Sequence, residues 1–210
     1  MRGLTLAGWL LAMAPAVAGA QPLGTEPGTV SSQGQSIAPV VSWGHRNQFG
    51  LRVGLSMGYR LTIRYEDRGG SDPCDDMENK FCAQVAPLTL DTGLGFGVSE
   101  GLEIEGRFRL GVMAEYDGSR PLQAGLGIRA LGTTDRLRFV FAVALLGDFS
   151  GGHLRASKEF DFLVRTEQGL HYDVTRNFGF YLALGETFSF LRNFSFAIDG
   201  TIGIQGRLPR

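Results

Sequence analysis

From Phe49 to Tyr65 the chain alternates without a break. Phe49, Leu51, Val53, Leu55, Met57, Tyr59, Leu61, Ile63 and Tyr65 are apolar, and the residues between them are glycine, arginine, serine or threonine. A period of two held this long is a β-strand with one greasy and one wet face. The pattern returns along the chain. Residues 86–99 set Leu88, Leu90, Leu94, Phe96 and Val98 against Thr89, Asp91 and three glycines, and residues 102–116 set Leu102, Ile104, Phe108, Leu110, Val112 and Tyr116 against charged residues. Residues 122–131, 136–147, 160–174, 177–190 and 194–208 follow, the stretch 136–147 being apolar on both faces. Short turns such as GTTD and TRN mix with longer polar loops, the first being residues 66–84. Eight strands with no helical period exclude a helical bundle or an α/β domain.

Alternation alone does not say which face meets water. A soluble calyx turns its apolar face inward, whereas a membrane barrel turns it to lipid. Most strands reach the ~9–11 residues that a tilted strand needs to cross a bilayer. Glycine is common on the polar face, where it weakens a solvated strand but suits a crowded interior. The charges segregate too. Arg52, Arg60, Arg64, Arg107, Arg109, Arg129, Arg138, Arg165 and Arg207 share the polar face with Asp91, Glu103, Glu105, Glu115, Asp161, Glu167, Asp173 and Asp199. That near-neutral set predicts mutual pairing inside a narrow lumen. The apolar face holds only Glu186, expected at the rim or after a bulge at Gly185. Aromatics near strand ends (Phe49, Tyr65, Tyr116, Tyr172, Phe178, Phe194) suit an interfacial girdle. The fold class is therefore all-β: a transmembrane antiparallel up-and-down β-barrel of eight strands, or ten if residues 36–44 contribute. Closure is required, because an open sheet edge in hydrocarbon leaves backbone groups unpaired.

Composition adds the compartment. Residues 1–20, MRGLTLAGWLLAMAPAVAGA, carry Arg2, an apolar stretch and a small-residue close, the three-part pattern of a secretory signal peptide. The expected organisation is signal peptide 1–20, flexible arm or linker 21–47, and barrel 48–210, with export to the outer membrane. A net charge of −1 gives no bulk field for nucleic acid. The two cysteines, Cys74 and Cys82, fall in the first polar loop, and in an exported chain they read as a disulfide. The acidic residues around them lack the spacing of an EF-hand loop, so no metal or other cofactor is expected.

The chain resembles the small outer-membrane β-barrel family of Gram-negative bacteria, which includes the membrane domain of outer membrane protein A and the OmpX-like adhesion barrels. The resemblance covers residues 48–208 and rests on signal peptide, alternating strands, short turns and longer loops. It departs in one place: the family usually ends on an aromatic residue, and here Ile202, Ile204 and Leu208 run on to Pro209-Arg210. The resemblance implies contact with outer-membrane lipid and lipopolysaccharide, recognition by the barrel-insertion machinery, and a monomer. Some such barrels modify lipids with a His and a Ser two residues apart. Here the residue two after His171 is Asp173, and no enzymatic role is expected.

Eight strands enclose room for little beyond their own side chains. The expected function is thus structural, adhesive or surface-interacting. The lumen is expected to be filled by a charge network of Arg52, Arg60, Arg64, Asp91, Glu103, Glu105, Arg107, Arg109, Arg129, Arg138, Arg165, Glu167, His171 and Asp199. A small porin is the first alternative, and a soluble periplasmic calyx or a lipid-modifying enzyme the second. On this register Leu55 should reject arginine, while Ser56 should accept it unless the lumen is tightly filled.

Overall fold

A computed structural model of the chain describes residues 44–63, 81–114, 120–132, 136–150, 160–191 and 194–208. Eight strands form: β1 (Phe49–Ile63), β2 (Phe81–Gly97), β3 (Leu102–Gly111), β4 (Leu122–Leu131), β5 (Leu137–Asp148), β6 (Asp161–Thr175), β7 (Phe178–Ser189) and β8 (Phe194–Arg207). Each pairs antiparallel with its sequence neighbours, and β1 pairs with β8 from Gly50↔Arg207 to Ile63↔Phe194. The sheet closes on itself. Closure leaves no free edge for residues 36–44, so the ten-strand alternative is set aside. β8 is held at its close by Leu208 N–H donating to the Phe49 carbonyl at 3.0 Å.

The alternation divides inside from outside. Along β5 every even position from Arg138 to Leu146 is buried and every odd position from Leu137 to Leu145 is exposed. The outward side chains are large and apolar, Leu126 being 69% exposed and Ile202 67%. This is an inverted globule, greasy outside and polar within, as hydrocarbon around a barrel demands. Aromatic pairs mark both ends of the belt: Phe49–Phe96 and Phe178–Phe180 at one, Phe149–Phe160, Phe188–Phe196 and Phe190–Phe194 at the other. Tyr65 and Tyr116 lie outside the described residues. The first aromatic end carries the short connections 98–101, 132–136 and 176–177, and the second carries 64–80, 112–121, 149–160 and 190–193. They are termed here the turn end and the loop end.

Two strand boundaries differ from the sequence reading. β2 begins at Phe81, so Cys82, read as a loop residue, is a strand residue opposite Thr62. The periodicity hides this because the register shifts between Ser56 and Gly58, where Pro87 and Leu88 lie in β2 opposite Met57. Proline cannot donate to the ladder and belongs at such a bulge, and the bulge flips the parity of residues 81–85 relative to 89–97. β3 ends at Gly111 rather than Tyr116, because Gly111 N–H turns to the Pro121 carbonyl at 2.6 Å and Val112 N–H to the Leu88 carbonyl at 2.8 Å. Glu115 falls outside the described residues. So do Cys74 and the side chain of Cys82, the proposed disulfide pair.

Residues 44–48, the close of the expected arm and the first barrel position, are built into the turn end. Asn47 takes a left-handed φ of 57°, a conformation asparagine tolerates better than most residues. Its N–H donates to the Gly97 carbonyl at 2.7 Å, Gln48 N–H donates to the His45 carbonyl at 3.1 Å, and Gly97 N–H donates to the Gln48 carbonyl at 3.0 Å. A side chain at Gly97 would collide with the His45 carbonyl. The tight turn drives the His45 ring inward, where it is 2% exposed.

Candidate functional site: the charged lumen

β3 turns four successive charges inward: Glu103, Glu105, Arg107 and Arg109 are all buried. Around the two middle charges its neighbours are small: β2 sets Gly95 and Gly93 beside Glu105 and Arg107 and β4 sets Gly127 and Gly125 there, with Asp91 and Gln123 flanking Arg109 and Arg129 flanking Glu103. The arginines therefore extend across the lumen. Arg107 reaches Glu167 on β6 and Asp91 at 3.3 Å. Arg109 reaches Asp91 at 3.2 Å and Asp199 on β8 at 3.1 Å. Arg52 joins Glu105 to Glu167, the latter at 3.1 Å. Arg165 on β6 holds both oxygens of Asp199, at 2.6 and 2.7 Å, the bidentate geometry a planar guanidinium favours. Each of these carboxylates touches at least two guanidiniums, the condition under which buried charge is tolerated.

Two glycines show how tightly this is filled. A Cβ at Gly185 would strike the Arg165 guanidinium, and one at Gly54 would strike the Tyr181 hydroxyl. Tyr181 lies across the lumen with Arg52 5.3 Å over its ring. Ser56 is likewise enclosed, hydrogen-bonded to Thr89 and accepting from Arg109 at 2.9 Å. The exception attached to Ser56 in the sequence expectation, a tightly filled lumen, applies here: an arginine, Arg109, already occupies its site.

A second cluster closes the turn end. Arg138 Nη1 donates to His45 Nε2 at 2.6 Å, which places the imidazole proton on Nδ1, donated to Glu103 at 2.7 Å. Glu103 also receives Arg129 at 3.1 Å and Arg207 at 2.8 Å. Arg138 holds Asp173 at 2.7 Å, and Asp173 holds His171 Nε2 at 2.8 Å. Arg129 donates to Gln205 at 3.0 Å. Arg129 and His171 are each 0% exposed.

Of the network read from sequence, the structure brings together Arg52, Asp91, Glu103, Glu105, Arg107, Arg109, Arg129, Arg138, Arg165, Glu167, His171 and Asp199 as buried lumen residues. Arg60 lies half-buried toward the loop end of β1, and Arg64 falls outside the described residues. Sequence reasoning missed Tyr181 and His45. Tyr181 shares parity with Gly179, Ala183 and Gly185, so the period could have revealed it. His45 precedes the strand and carries no such signal. Among the described residues no group of three or more His, Cys, Asp or Glu side chains is arranged to hold a metal ion.

Glu186 does not follow a bulge, and it lies three residues from the loop end of β7. β6 and β7 run in register through Thr166↔Glu186, their one irregularity lying at Asp173/Thr175. The side chain points outward, half-buried, and accepts from Thr166 Oγ1 at 3.0 Å.

No family model and no curated protein matches the sequence. The fold is similar to solved barrels. The N-terminal β-barrel domain of Pseudomonas aeruginosa OprF aligns over 78% of this chain and 98% of its own at 12% identity, with a TM-score of 0.52. Neisserial surface protein A aligns over 76% of this chain and 97% of its own at 9% identity, with a TM-score of 0.55. The chain thus has the eight-stranded fold of the small outer-membrane barrels.

Proposed function

We propose that the protein is an integral outer-membrane β-barrel, exported by residues 1–20, whose closed lumen is structural and whose loop end faces outward to act at the cell surface. The observation that carries this reading is the cross-lumen lattice: guanidiniums and carboxylates from β1, β2, β3, β6 and β8 meet at the centre, where a conducting pore needs water. The His45 cluster stoppers the turn end below it. The surface role is structural or adhesive, carried by the connections of the loop end, where binding residues of rigid scaffolds concentrate. This reading assigns no catalytic part to His171, whose ring is fully buried between Asp173 and Arg129.

Planar-bilayer conductance together with heat-modifiable gel migration tests this reading. The expected result is anomalous migration of the unboiled protein with little or no current. A large steady conductance with ion selectivity makes the protein a small porin, and purification without detergent makes it a soluble calyx.

A further inference from the structure

The outward face is apolar on every strand but for a few positions. Thr92 satisfies its hydroxyl on the Phe108 carbonyl at 3.0 Å. The others adjoin one another on β6 and β7: Thr166, Gln168 and Glu186, all half-buried. Thr166 stands opposite Glu186, and Gln168, one outward position along β6, stands opposite Leu184. On β8 Ile198 stands opposite Glu186, and the next outward residue, Gly200, where a Cβ would meet only open space, stands opposite Leu184.

Depth makes this notch unusual. At ~3.3 Å per residue and a tilt of ~40°, Thr166 and Glu186 stand on the order of 20 Å above the turn ends of their strands. Phe162, Phe188 and Phe196 stand on the order of 5–10 Å nearer the loop end. The notch is therefore inside the belt, on the order of 5–10 Å beneath its loop-end girdle. An ionisable side chain on that surface is costly and marks a functional contact by default. Thr166 supplies one hydrogen bond to the carboxyl. Among the described residues the Gln168 amide has no partner.

We infer that this notch is the interface of a homodimer within the membrane, formed by the β6–β7 faces of two copies. The inference rests on the outward face meeting lipid. A second copy related by a two-fold axis along the membrane normal brings the same notch to the same depth, as an isologous interface requires. The notch is self-complementary: it carries a carboxyl that accepts and, within roughly 8 Å along the barrel axis, an amide that donates. Glu186 of each copy accepts from Gln168 of the other while Thr166 keeps its own hydrogen bond to the carboxyl, and Gly200 lets the two walls approach. Interhelical polar contacts act as glue in the same solvent. The dimer is the alternative to the sequence expectation of a monomer.

The test uses the full chain folded into phosphatidylcholine vesicles, with donor and acceptor dyes on the N-terminal amine of separate batches and energy transfer followed as lipid is added. The wild type is expected to transfer energy well above the level of random proximity. Glu186→Leu should weaken association at least ten-fold, Gln168→Leu should weaken it by a smaller factor, and Glu186→Gln should retain most of it. All three variants touch only the outer face and should keep the heat-modifiable migration of the wild type. A wild type that stays monomeric at every lipid ratio overturns the dimer, as does a Glu186→Leu variant that associates as tightly. A monomer that carries lipopolysaccharide through native mass spectrometry, and loses it in Glu186→Leu, overturns it in favour of a lipid site. Failure to insert into vesicles at all would instead sink the membrane reading beneath it.

Discussion

The inner faces of β3 and β5 belong to one lumen and could hardly differ more. β3 presents Glu103, Glu105, Arg107 and Arg109, and β5 presents Val140, Ala142, Ala144 and Leu146 between Arg138 and Asp148. Both are fully buried. The difference is one of volume: long side chains rooted on β3, β6 and β1 meet at the axis, and the β4–β5 wall must be thin to make room for them. Ala142, 0% exposed, stands between Arg129 and Glu167 in the register. Charge on one wall and small apolar groups on the other are two halves of one packing solution. A lumen that carried arginine on every strand would overfill, and one lined throughout by alanine would leave the carboxylates without partners.

Breaking the charged wall should have the largest effect. Glu105→Ala leaves Arg52 held by Glu167 alone, and stability should fall by about 3–5 kcal/mol, the cost of breaking a buried pair. Urea titration of the folded gel band reads this directly. Adding Arg52→Ala should restore part of the loss, and a purely additive double variant would show that the two groups act independently.

The outer wall comes next. Leu55→Arg places a charge in the lipid belt and should cost ~2–4 kcal/mol, seen as a lower yield of folded barrel. Ser56→Arg, one residue along, meets Thr89 and Arg109 instead of lipid and should also fold poorly. The two variants therefore separate through the double variant Ser56→Arg with Arg109→Ser: it should recover folding, which no change at Arg109 can do for Leu55→Arg.

Overfilling the thin wall should be milder. Ala142→Leu adds volume against Arg129 and should cost about 1–3 kcal/mol, typical of a crowded core. Ala142→Gly should lose much less, and an equal loss would mean that space is not what the alanine provides.

The smallest effect belongs to the stopper. His45→Ala removes one hydrogen bond from Glu103 and one acceptor from Arg138, while Arg129 and Arg207 still hold the carboxylate and Asp173 still holds Arg138. The loss should be about 1–2 kcal/mol, in line with a hydrogen bond to a charged group. Proteolysis of residues before Phe49 should become faster, and an unchanged cleavage rate would show that the ring does not pin the segment.

Legibility followed the period. Where strands ran without irregularity and kept one face polar, as in β3, β4 and β8, alternation placed the charges inward, among them Arg107, Arg129 and Asp199. It failed at the β2 bulge, because one extra residue opposite Met57 inverts the parity of everything on its far side. It also overran Gly111, since apolar residues past a strand keep the period by chance. Glu186 was visible as an exception and was expected at the rim or after a bulge at Gly185, and the register removes the bulge, since strand pairing is not written in the local pattern.

By itself the sequence determined the class of this molecule: a period of two, apolar on one face and balanced in charge on the other, is satisfied only by closure with the charge inside. Which arginine meets which carboxylate was decided by the tertiary structure. Arg109 and Asp199 lie 90 residues apart, and only the stagger of eight closed strands brings them to one level. The same holds for His45, whose burial depends on a left-handed turn at Asn47 and on the space above Gly97. Facing is a local property, fixed by the pleat of each strand. Partnership across a lumen is a property of closure, and no local pattern encodes it.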